Sequence, residues 1–333
     1  MASQHPHRTK FILLGLGALG LLTLSAFVGR YPAAPGLSPA LLRTDPLAQR
    51  LVLDLRLPRL LAAFLTGAVL AVSGLTMQMV FRNPLVEPGF LGVSQGAAFG
   101  AALAILYFST SPWAIQASAA AFAMLGLALT YVLARKLRYG GWILRMVLAG
   151  IAVSALFSAG VGLLKYLADP LTQLPEIVFW LLGGLWATRW DNFLVILPPT
   201  LTALVLLFLA RWRLNLLSLS EEAAFSLGAA PGRERLALLT LSVVATAAVV
   251  SLAGMVGWVG LMIPHLARRL FSADARYALP ASLLLGGTFT LLCDDIARTL
   301  VNGEIPLGIL TSLLGAMAFV ALLATTPTEN RST

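Results

Sequence analysis

Apolar residues in this chain run in long blocks instead of alternating. Stretches almost free of charge lie near 11–29, 57–81, 90–108, 114–134, 143–166, 192–210, 235–254, 256–267, 278–299 and 306–324, separated by short knots of Arg, Pro, Gly and Asp. A helix rises about 1.5 Å per residue, so roughly 20 apolar residues cross the hydrocarbon of a bilayer. All but one of these stretches reach that length. The exception, 256–267, is too short to cross alone and is predicted to be a partial helix buried by its neighbours. Residues 1–28 have the basic start and apolar run of a leader, but the run is longer than a leader's and many others follow it. An uncleaved first helix is the better reading. The pattern predicts an all-α membrane protein of about ten transmembrane helices, forming one transmembrane domain over 1–333.

Composition supports lipid as the solvent. The chain is 59% hydrophobic and 11% charged, with mean hydropathy +0.87, whereas soluble domains carry about 25% charged residues. The net charge of +9 raises nucleic acid as a partner. The cations sit in clusters between apolar runs, however, which is how topology is encoded, and nucleic acid is set aside. With the N-terminus cytoplasmic, 15 of the 23 Lys and Arg residues fall inside, which favours N-in and C-in. The expected cytoplasmic parts are the tails 1–10 and 326–333 and a loop at 211–235. Five of the eight outer cations crowd between Arg30 and Arg59, against the rule. The tryptophans map to span ends, Trp258 to an outer one, and none is expected in mid-span.

Candidate chemistry narrows the classes further. All 14 acidic residues map to loops or helix ends, which weighs against a proton-driven carrier. The nearest exceptions are Asp294 and Asp295, and Asp294 can pair with Arg298 one helical turn on. The only lysines are Lys10, Lys136 and Lys165, so there is no phosphate-binding Gly-Lys loop, and the single cysteine, Cys293, excludes a cysteine-rich metal site. No catalytic motif is present and no enzyme is expected. Small residues recur every fourth position, as in Gly92, Gly96 and Gly100, and in Ala63, Gly67 and Ala71, which suits close helix packing. For Gly150, Ser154 and Ser158, and for Thr311 and Ser312, a second reading is the wall of a pathway.

The longest polar stretch lies at 211–235. Ser218 or Ser220 can cap a short helix whose first turn holds Glu221 and Glu222, at the positive end of the dipole, and Gly228 can close it. One reading is a plain interfacial connector. The other is a docking element that presents Phe225, Leu227 and the small alanines Ala223 and Ala224 to a cleft on a cytoplasmic partner.

Taken in order, several segments resemble the FecCD-type permeases of ABC importers. They are Leu55-Arg56-Leu57-Pro58-Arg59; Ser73-Gly74 with Gln78; Arg82-Asn83-Pro84-Leu85-Val86-Glu87-Pro88 and Leu91-Gly92-Val93-Ser94; Phe179-Trp180-Leu181-Leu182-Gly183-Gly184-Leu185; Gly260-Leu261-Met262-Ile263-Pro264-His265 with Arg268; Asp294 to Arg298; and Glu304-Ile305-Pro306-Leu307-Gly308. The resemblance implies a type II importer permease in the bacterial inner membrane, working as a homodimer. Its implied partners are two ATP-binding subunits, which hold ATP and Mg, and a periplasmic binding protein. It implies docking of that protein on Arg56, Arg59 and Arg298, and ATPase coupling through Leu219, Glu221, Glu222, Ala223, Ala224, Phe225, Leu227 and Gly228. It also implies a path along the fifth and tenth spans, with a gate near 171–186 and no cofactor in this chain. The cargo it implies is an iron-siderophore, haem or cobalamin-type chelate. The alternatives are an oxyanion such as molybdate, or a secondary transporter or channel acting without an ATPase.

Overall fold

A computed structural model describes residues 5–29, 31, 36–108 and 111–324. Arg30 and the tail 326–333 lie outside the described residues. The described chain is helical, with one isolated bridge between Val28 and Gly36. Its helices are α1 (His5–Phe27), α2 (Leu41–Thr44), α3 (Pro46–Arg50), α4 (Leu57–Phe81), α5 (Val93–Tyr107), α6 (Pro112–Lys136), α7 (Trp142–Leu167) and α8 (Gln173–Leu182). They continue as α9 (Trp190–Leu209), α10 (Arg211–Leu217), α11 (Glu221–Ser226), α12 (Pro231–Ala253), α13 (Val259–Leu270), α14 (Ala275–Thr299) and α15 (Leu307–Ala324).

Among the described residues, eight helices are long and apolar enough to cross a bilayer. They match eight of the ten expected spans. The other two are shorter: α5 has 15 residues and α13 has 12. Three elements went unread in the polar 30–56 stretch: α2, α3 and a π-helical segment, Leu51–Arg56, that runs straight into α4. The apolar helix α8 is likewise additional to the ten.

The centre of the bundle is α4, of which nearly every residue from Leu60 onward is buried. It sits against α14 and α13 through glycines. A Cβ on Gly67 would overlap the carbonyl oxygen of Gly286, and one on Gly74 would overlap that of Gly260. The Ala63–Gly67–Ala71 stripe therefore packs helices, as its spacing suggested. Polar straps reinforce the contact. The Gln78 amide donates to the carbonyls of Gly260 and Leu261 at 3.3 and 3.2 Å, and Arg268 donates to Gln78 Oε1 at 2.7 Å.

The half-length α13 has a structural consequence. The break between α12 and α13, at 254–258, falls inside the bundle, where Gly254 and Trp258 take left-handed φ angles of 67° and 70°. Trp258 packs against Gly315, midway along α15, and edge-on to Phe319 with ring centroids 6.1 Å apart. It is therefore half-buried against the middle of α15 and is no interfacial anchor, which corrects the sequence expectation. A tryptophan at the break before a half-length helix sits at the depth of that break, short of the span end that a full-length helix would give it.

Candidate functional site

Three regions bring the candidate residues together. At one end of the bundle, the arginine end, Arg56, Arg59 and Arg298 line one open cavity of about 510 Å³ with Glu304, Asn302 and Trp186. All three are largely buried in their own chain. Arg59 meets Asp294 at 3.0 Å and Glu304 at 2.9 Å, with its side chain 11% exposed. Arg298 meets Asp294 at 3.0 Å and also pairs with Asp295. The Asp294–Arg298 pair was legible from its spacing. The Arg59 pairs join residues far apart in sequence and left no local signal. Arg56 differs: it donates to the Ala26 carbonyl at 3.0 Å, and among the described residues no carboxylate pairs with it. Arg59 and Arg298 therefore already hold counter-charges, so neither is a free surface cation.

Midway along the bundle lie two cavities of about 350 and 640 Å³ that share Glu87, Met255 and Gly257. Ser154 lines the first and Ser312 the second, and both cavities border the chain break before α13. The remaining candidate path residues do not line them. Gly150 is buried and packs on the carbonyl of Phe90. Thr311 is buried, its hydroxyl turned to the Gly308 carbonyl at 3.3 Å. Ser158 is exposed and borders neither cavity.

Glu87 was missed as a site residue. It falls in a short loop by sequence, but that loop folds back into the bundle, where the Glu87 carboxylate accepts the Trp258 N–H. It is the one ionisable side chain lining either cavity. The available signal was the proline on either side of the Leu85-Val86-Glu87 segment, which holds the backbone extended instead of helical. Above the second cavity, the end of α8 is pinned to the same break. Gly184 N–H donates to the Ala253 carbonyl at 2.8 Å, and a Cβ on Gly308 would overlap the carbonyls of Leu182 and Met255. The expected gate segment thus touches both the chain break and the start of α15.

At the opposite end, the loop end, α10 and α11 form the 211–228 segment. Ser220 caps α11 by accepting the Ala223 N–H at 3.3 Å, and Gly228 follows its end with φ 78°. Ser218 does not cap it, since its hydroxyl donates to the Asn215 carbonyl at 2.7 Å. Phe225 and Leu227 are 74% and 59% exposed, and Leu219, Glu221, Glu222 and Gly228 are exposed beside them. Ala223 is half-buried. Ala224 is fully buried against Leu216 and Ala229, so it seats the helix on its own chain and cannot meet a partner.

The model of the FecCD transport family matches residues 16–325. This chain belongs to that family. Among its relatives is the molybdate import permease MolB of Haemophilus influenzae, 41% identical over 94% of this chain and 95% of that one. The hemin permease HmuU of Yersinia pestis is 42% identical, covering 81% of this chain and 82% of its own. The vitamin B12 import permease BtuC of Vibrio cholerae is 37% identical over 96% and 95%. A solved metal-chelate type ABC transporter, in an inward-facing conformation, superposes with TM-score 0.89 at 39% identity, covering 96% of this chain and all of that one. The FecCD protein is thus a multi-pass permease subunit of an ABC importer, all-helical and non-enzymatic, served by separate ATP-binding subunits and a substrate-binding protein. The alternative of a transporter working without an ATPase gives way to it.

Proposed function

We propose that this permease imports a metal chelate of the iron-siderophore, haem or cobalamin type, as a homodimer with both termini cytoplasmic. The observation that carries the reading is the pair of mid-bundle cavities that share Glu87, Met255 and Gly257 and are otherwise lined by weakly polar and apolar groups. Both are partly open, and a second copy facing them would close a central path. Such walls suit a bulky, mostly apolar chelate better than a small, strongly hydrated ion, which needs dense charge to replace its water. Relatives that carry hemin and vitamin B12 agree with this.

In this orientation the arginine end faces the periplasm. Arg56, which no carboxylate among the described residues pairs with, is the cation that meets an acidic group of the binding protein, and Arg59 and Arg298 keep the cavity around it in shape. At the loop end, Phe225 and Leu227 are the apolar contacts that enter the ATP-binding subunit, where ATP and Mg are held. A second reading, import of an oxyanion, has the similarity to MolB in its favour. The deciding experiment reconstitutes the complex with its binding protein and supplies labelled ferric siderophore, haem, cobalamin and molybdate in parallel. ATP-driven accumulation of a chelate is expected. Accumulation of molybdate alone would establish the second reading instead.

A further inference from the structure

Arg235, in the first turns of α12, is the largest fully buried side chain among the described residues, only 2% exposed. Its guanidinium pairs with the carboxylate of Glu221, the first residue of α11, whose side chain is 61% exposed. The same guanidinium lies over the Trp142 ring at the start of α7, 5.3 Å from its centroid. Trp142 in turn stacks on Phe81, the last residue of α4, with centroids 5.5 Å apart. One side chain therefore joins the exposed loop helix to the loop-end termini of three long helices, α12, α7 and α4.

Other contacts of α11 are weaker links to the membrane helices. Ala224 packs on Leu216 and Ala229, within the loop itself. The Arg213–Glu234 pair, at 3.6 Å, joins two partly exposed groups and ties α10, not α11, to α12. The Arg235 joint also holds its charge. The Glu221 carboxyl is kept below its ordinary range by the hydrogen bond and charge of Arg235, with Arg82 at the end of α4 adding to it. It stays ionised through the physiological range. Two of the Arg235 nitrogens, Nε and Nη2, are buried without a hydrogen-bond partner. A buried donor left open costs roughly 1–3 kcal/mol. That cost is tolerable where the group changes partners between two arrangements.

We propose that Arg235 is the positioning residue of coupling, the joint through which displacement of α11 is passed to α12, α7 and α4. The inference rests on the reading of α11 as the ATPase contact. Glu221 then faces inward in function, as one half of the joint, while Phe225 and Leu227 hold the partner. Arginine suits the role because its flat, charged fork can pair with a carboxylate and stack on an indole together, which lysine cannot do.

The test uses the full complex in vesicles and reads cargo transported per ATP hydrolysed. The variants are R235K, W142L, E221Q and the double variant E221Q/R235K. In each, the ATP-binding subunit is expected to remain bound and to hydrolyse ATP, while cargo per ATP falls by about fivefold or more. Because Glu221 and Arg235 act as one joint, the double variant is expected to be no worse than the worse single variant. A merely structural arginine would lower the yield of complex and leave the ratio of the surviving complex unchanged. That result would overturn the proposal, as would losses that multiply in the double variant. If the buried variants fail to assemble, E221Q decides alone, because Glu221 is mostly exposed. A failure of the underlying reading has a different signature: an F225D variant would bind the ATP-binding subunit as well as the parent does.

Discussion

Replacing Asp294 by alanine removes a counter-charge that two buried arginines share. Asp294 is wholly buried, and Arg59 and Arg298 are 11% and 8% exposed, each meeting it at 3.0 Å. Taking one partner from a buried ion pair costs about 3–5 kcal/mol, because the remaining charge stays desolvated. Here each arginine keeps a second carboxylate: Glu304 for Arg59 and Asp295 for Arg298. The expected loss is therefore near the lower end, about 3 kcal/mol, for D294A. D294N keeps the shape and part of the hydrogen bonding and should lose less. Thermal unfolding of the detergent-solubilised protein reads the order: parent, then D294N, then D294A. Binding-protein affinity of the surviving D294A protein should fall as well, since the cavity around Arg56 loses its frame. An unchanged melting temperature for both variants would refute the claim that this cluster is a buried, mutually dependent unit.

Other outcomes follow from the same geometry. G67A should destabilise the protein by about 1–3 kcal/mol, since its Cβ meets backbone that cannot turn aside, and adding G286A at the same contact should not double the loss; melting temperatures of the single and double variants check this. Phe225→Asp and Leu227→Asp should leave stability within about 0.5 kcal/mol, as exposed positions do, yet weaken ATPase binding by about 2 kcal/mol, near 30-fold, in a pull-down titration. Asp274 caps α14 in a loop at the α10 end: burial pushes its carboxyl up, but hydrogen bonds from Arg276 and Asn215 outweigh this and hold it at about 2, below its ordinary 3.8. Its folded value is depressed, so its stabilisation is complete above pH 4 and lost as pH falls toward 2; D274N should melt lower than the parent at neutral pH and lack that part of the acid dependence.

Much of this was legible in the residues. Charge-free runs marked the long helices within a few positions, because in lipid the backbone must satisfy itself and only helical blocks of the right length do so. The capped helix at Ser220 and the Asp294–Arg298 pair were legible for a similar reason: both are local, set within one helical turn. The features that stayed hidden depend on contacts distant in sequence. Arg59 reads as a free outer cation until α14 and the 300–306 loop bring Asp294 and Glu304 to it. Glu87 reads as a loop acid until its segment turns back to meet the Trp258 N–H. Ala224 has the same composition signal as Ala223 one position earlier. Only packing against Leu216 and Ala229 decides which of the two faces inward.

The central claim is that this protein moves cargo only when a separate ATP-hydrolysing subunit acts on 211–228. The most direct measurement compares three sets of vesicles: permease alone, permease with its ATP-binding subunit and binding protein, and the same complex carrying F225D. Labelled chelate should accumulate with ATP in the second set only. Steady accumulation in vesicles holding the permease alone would contradict the account.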